Sequence, residues 1–173
     1  MTSISQLLLP GANQVLIHGK KLLTDIKPEQ FSRKPFQDGA VTLINHPAFQ
    51  YGHLGLYPER IANLLGLATD RVKAPQGFRE LFIKGSPCHD DKDGNIYPAM
   101  NIISEHFSNS HDVILDLLKD VPDDVYYKAN NEEATKDRFD TLGSFVIYLL
   151  TAHANTHFGQ VLAWRRCMGI KGV

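Results

Sequence analysis

Between Leu142 and Met168 the apolar pattern leaves little choice of fold. At about 100° per residue, Leu142, Val146, Leu149, Leu150, His153, His157, Gln160 and Trp164 share one stripe of a helix. Gly169 then supplies the C-terminal stop that helices favour. A stripe this continuous has to be covered, and three other segments repeat its period. The first runs from about Ser5 to Ile26 with Leu8, Val15, Leu16, Leu22 and Leu23, its start weakened by Pro10 and Gly11. The second begins at Pro47, with Asn45 or His46 as its cap. It carries Phe49, Leu56, Tyr57, Ile61 and Leu64 to a stop at Gly66, and Pro58 predicts a kink inside it. The third spans Pro98 to Lys119 with Ile103, Phe107, Ile114, Leu117 and Leu118, before Val121-Pro122-Asp123 ends it. Strand signals are sparse, so the expected class is an all-α bundle.

The chain has 173 residues, which favours a single domain over 1–173. At this size roughly 70% of the unfolded surface is buried on folding, enough for a core without staples. Lys+Arg number 18 against 19 Asp+Glu, and no basic block stands out, which argues against a nucleic-acid binder. Two cysteines, Cys88 and Cys167, cannot build a disulfide scaffold. Met1 to Pro10 lacks the basic start and cleavage site of a secretory signal. Leu142 to Leu150 is too short to cross a bilayer. The expectation is a cytoplasmic protein with no membrane partner.

Pro28 suits the first position of a short helical turn after the first helix. Residues 67–97 form a Pro/Gly-rich connection long enough to return along a helix, and its position suggests a lid over a site. Within it, Cys88-His89-Asp90-Asp91 reads as a solvated loop. Asp91-Lys92-Asp93-Gly94-Asn95 fails as a calcium loop, because Ile96 and Ile102 stand where Gly and Glu are required. Asp123 to Asp140 lacks periodicity and reads as a solvated connection. Cys167 is expected to be packed.

The eight histidines are the unusual part of the composition. His153 and His157 are four apart, so their rings project from one face of the fourth helix. Buried imidazoles need partners, since an unsatisfied polar group costs roughly 1–3 kcal/mol. A shared metal ion is one solution; hydrogen bonds to backbone or water are the other. Ala154 replaces the general-base Glu of a zincin helix. His53, on the face of Phe49, Leu56 and Tyr57, is the strongest candidate for a third ligand, with a packed core histidine as the alternative. His106 and His111 flank the stripe of the third helix and are expected half solvated, while His18 and His46 read as surface or capping residues. Gln160, one turn beyond His157, is placed either to order a ligand through a hydrogen bond or to pack at the stripe edge. Three neutral imidazoles without a carboxylate would leave a divalent ion its full charge and an open position. Zinc, nickel, iron and copper all accept such ligands.

The segment Asn45-His46-Pro47-Ala48-Phe49-Gln50-Tyr51-Gly52-His53-Leu54, followed by His153-Ala154-Asn155-Thr156-His157-Phe158-Gly159-Gln160, resembles the DinB/YfiT-like superfamily. Pro28-Glu29-Gln30-Phe31 is similar to the family's short turn after its first helix. The resemblance implies a four-helix bundle in up-down-down-up order with a long crossover between helices 2 and 3. It also implies a divalent metal held by His53, His153 and His157, and a homodimer. Some members of that family are metal-dependent thiol transferases and others are proposed hydrolases. The expected function is therefore a metal-dependent enzyme that activates a low-molecular-weight thiol or water against a small-molecule electrophile. The alternative is a non-catalytic bundle that binds a ligand or partner.

Overall fold

A computed structural model describes residues 2–171 of the chain. Among them the protein is all-α, with strand confined to a short hairpin of β1 (Phe36–Gln37) and β2 (Ala40–Val41). The first helix, α1 (Ile4–Lys21), opens on a capping box in which Ser3 and Gln6 satisfy each other's backbone amides. It continues through Pro10, which lies on its exposed face. His18, Lys20 and Lys21 complement the negative end of its dipole. A 3₁₀ turn at Pro28–Gln30 follows, as Pro28 predicts.

The predicted second helix is two helices. α2 (Pro47–Leu54) ends at Gly55, and α3 (Tyr57–Leu65) starts afresh with Pro58 in its first turn. Pro58 sits where its missing N–H costs nothing, so it starts a helix instead of kinking one. His46 caps α2, its Nδ1 accepting from the Phe49 amide, and is fully buried, so it is no surface residue. Every residue of α2 is buried. Such a helix needs cover on all sides, and α4 (Phe78–Phe82), α5 (Met100–Leu117) and α8 (Ala154–Cys167) supply it.

The 67–97 connection is therefore structured. α4 packs on α2, and buried Asp91 accepts from the amides of Asn95, Ile96 and Tyr97. Asp90 pairs with Arg33 at 2.8 Å. A segment anchored this way is a bracket on α2, in contrast to the lid its length suggests. The 123–140 stretch is also more ordered than its polarity implies. It contains α6 (Asp123–Tyr126), a buried Tyr126, and buried Asn130 donating to Thr135 Oγ1 and the Phe139 carbonyl. Its polar side chains serve the segment's own backbone as much as solvent.

The last helical stretch begins with α7 (Leu142–Tyr148), capped by Thr141, and passes through a π turn at Leu149–His153 into α8. On α8, buried Arg165 donates to the carbonyls of Leu22 and Thr24, holding the end of α1. Its charge faces the negative end of that helix, which offsets part of its desolvation. Among the described residues no helix is long and apolar enough to cross a membrane.

The α2–α4 contact yields a test of the packing. A Cβ on Gly52 would lie 2.5 Å from the ring of buried Phe82. Gly52→Ala is expected to destabilise the protein by about 1–3 kcal/mol, because overpacking outweighs the helix-propensity gain. Urea denaturation measures it; an unchanged or raised midpoint would show that α4 yields freely.

Candidate metal centre

Three helical pieces bring His53, His153 and His157 together. One ligating nitrogen from each lies within 4.8 Å of the other two. His53 comes from buried α2, His153 ends the π turn, and His157 follows one turn later on α8. The Nε2 atoms of His153 and His157 are 3.1 Å apart. That is close to the edge of about 3.3 Å expected for two nitrogens about 2.0–2.1 Å from one tetrahedral ion.

Each ring from the first and third positions is held from behind. His53 Nδ1 donates to the Phe82 carbonyl at 2.7 Å, a carbonyl left free at the C-terminus of α4. His157 Nδ1 donates to Gln50 Oε1, and Gln50 Nε2 donates to Gln160 Oε1 at 2.6 Å. Both acceptors can only accept, so the protons sit on Nδ1 and the Nε2 lone pairs point into the cluster. Tyr57 Oη donates to the lone pair of His53 at 3.1 Å.

His153 has no such support, for its Nδ1 is buried without a hydrogen-bond partner. With its proton on Nε2 it donates to His157 and leaves Nδ1 bare. With the proton on Nδ1, its Nε2 lone pair opposes that of His157. Neither tautomer satisfies the ring from the protein alone. A cation among the three Nε2 atoms would turn opposed lone pairs into ligands, so the donor set fits a divalent metal.

The rings are also in the protonation state a metal needs. Burial drives His153 down to about 4, with His53 and Arg60 adding to the shift. Burial likewise drives His157 to about 3, helped by His53 and His153. His53 is lowered too, by burial and then by Arg60 and Lys84. The Arg60 guanidinium pairs with Glu132 and lies over the rings of Phe145, at 5.1 Å, and Tyr57, at 5.8 Å.

No family model, curated protein or solved structure matches this chain.

The three histidines expected to converge do so. Gln160 does not touch a ligand; it bonds to Gln50, which does. Sequence reasoning missed Gln50, Tyr57 and the Phe82 carbonyl. Spacing held a clue for two of these: Gln50 lies three residues before His53 and Tyr57 four after it. Of the other histidines, His111 is buried where half solvation was expected, its ring bonded to the Phe107 carbonyl, while His106 is half-buried as expected. Cys88 is half-buried, and burial raises its thiol pKa, which keeps it protonated.

Burial also lowers His46 and His111 to about 4 each. These groups, with His153 and His157, are neutral in the folded state but titrate near 6.5 when unfolded. Between those values the unfolded chain binds more protons, so stability rises with pH there and is lost on acidification. Chelator-treated protein is expected to lose stability from about pH 7 down to pH 4, on the order of 1–3 kcal/mol per group. A urea midpoint that stays flat across this window would contradict the burial of these rings.

Proposed function

We propose that this chain is a metalloprotein of the DinB/YfiT-like kind, an enzyme that uses His53, His153 and His157 to hold a divalent cation and activate a thiol or water. The observation that carries the reading is the facing set of Nε2 atoms around His153, whose ring the protein alone leaves unsatisfied. In this reading the four long helical stretches, α1, α2–α3, α5 and α7–α8, form the family's up-down-down-up bundle. The 67–97 connection is then its crossover between helices 2 and 3. The helix contacts of α2 with α5 and α8, and of α1 with α5, agree with such a bundle.

When bound, a divalent ion on three neutral imidazoles would keep its full charge, lower the pKa of water at its open position to about 7 and bind a thiol as thiolate. The chain's residues do the rest. Phe82 and Gln50 fix two rings in the ligating tautomer, and Gln160 fixes the Gln50 amide. Zinc, nickel and iron are the candidate ions. The partners in this reading are a small-molecule electrophile and a low-molecular-weight thiol, in a cytoplasmic homodimer. Thiol S-transfer and hydrolysis divide on one assay: product formation that requires added thiol, or proceeds with water alone.

A second reading, a non-catalytic binding bundle, draws on the hydrogen bonds that His53 and His157 already make within the protein. Metal analysis of protein purified without a histidine tag separates the two. The expected result is about one divalent ion per chain in the wild type, and none in His157→Ala with helical circular dichroism preserved. Equal metal content in both proteins, or none in a wild type supplied with zinc, would reject the site.

The hydrogen bond to His157 gives a graded check. Gln50→Ala is expected to weaken zinc affinity by about 10–100-fold, the usual effect of losing a ligand's orienting partner. Competition with a chromophoric chelator measures it, and unchanged affinity would remove Gln50 from the site.

A further inference from the structure

We propose that Tyr57 is the hydrogen-bond donor for the exogenous anion that completes the metal's coordination, a role that rests on the three-histidine reading above. Tyr57 is the first residue of α3 and is half-buried. Gly55 and Leu56 keep right-handed helical backbone, so Tyr57 faces the residue four before it. Its ring centroid lies 5.1 Å from that of His53 and 4.4 Å from that of His153. Its hydroxyl donates at 3.1 Å to the Nε2 of His53.

That nitrogen has a single lone pair. It serves the phenol in this structure, and it is the same lone pair a cation would take. The two uses exclude each other, so metal binding releases the Tyr57 O–H beside the cation. The hydroxyl then needs another acceptor. Arg60, three residues on, offers only donors, and the Glu132 carboxylate is taken up by Arg60 and the Thr135 hydroxyl. His153 spends its own lone pair in the cluster. An anion on the cation next to His53 would lie beside the freed phenol and accept its proton in a hydrogen bond. A donor there favours thiolate or hydroxide over neutral ligands, which makes Tyr57 a determinant of what the open position accepts.

The test uses cobalt(II)-substituted full-length protein, wild type and Tyr57→Phe, titrated separately with azide and 2-mercaptoethanol and followed by visible absorption. The variant keeps the ring and its packing. Expected are equal cobalt stoichiometry, equal spectra without added anion, and anion dissociation constants about tenfold to a hundredfold weaker in the variant. Equal anion affinity in both proteins would overturn the proposal. So would loss of cobalt by Tyr57→Phe, which would make the hydroxyl a ligand or a structural support. A wild type that takes cobalt but neither anion lacks an open position, and the proposal falls while the metal site stands. A wild type that takes no cobalt removes the metal reading itself, and the role of Tyr57 with it.

Discussion

The close approach of three uncharged imidazoles is the constraint around which the protein is arranged. Nothing in hydrophobic packing calls for it. Two of the rings stay because their backs are tied: His53 to the Phe82 carbonyl, His157 to the Gln50 amide. Both ties depend on α2, which carries His53 and Gln50 one turn apart and is buried on every side. Its complete burial converts side-chain hydrogen bonds into fixed geometry, since a helix with no free face cannot roll. The connection that supplies Phe82 is held to the same helix by packing of α4 and by the hydrogen bond between the ring of His46, the cap of α2, and the His89 carbonyl. The site and the core are thus a single construction.

The π turn at Leu149–His153 determines how far that construction opens to solvent. With strict α-helical winding, His153 and His157 would lie at the centre of the stripe begun by Leu142, Val146 and Leu149. The π turn adds a residue and moves the inward face on by one, to Ala154, Phe158, Val161 and Arg165, with Trp164 of the unshifted stripe still buried beside Arg165. The two histidines move to the edge of that face and are half-buried. One irregular turn, of a kind frequent at functional sites, leaves the ligand pair dry enough to stay neutral and open enough to be reached.

This also explains what could be read from the amino-acid string. Helical period, Gly66 and Gly169 as stops, Pro28 as a turn starter and the i, i+4 histidine pair are local signals, and local geometry honours them. His53 could be placed on an inward face because α2 is regular from its cap onward. What escaped depends on nonlocal or irregular backbone. A π turn has no signature that separates it from continuous helix, and Pro58 marks an interruption without telling a kink from a restart. Phe82 acts through a main-chain carbonyl, which any residue type would provide. Gln50 is a polar residue in an apolar run, but its partner His157 lies 107 positions away, and only the fold brings them together.

The charge balance around the cluster bears on its chemistry. The ligating rings are neutral, the partner of His157 is an amide, the partner of His53 is a carbonyl, and the one nearby guanidinium is paired with Glu132. A cation seated here would therefore face no carboxylate among its ligands or their direct supports. Its charge would be expressed at the open position in a half-dry environment, where electrostatic attraction is stronger than in water. Such a position selects for anions and holds a nucleophile in its deprotonated form. With Tyr57 as the proposed neutral donor at its margin, the site would need no charged group of its own to stabilise that anion. A carboxylate ligand in place of any one imidazole would weaken this selectivity, which is why an all-histidine set suits the proposed activation of a thiol or water.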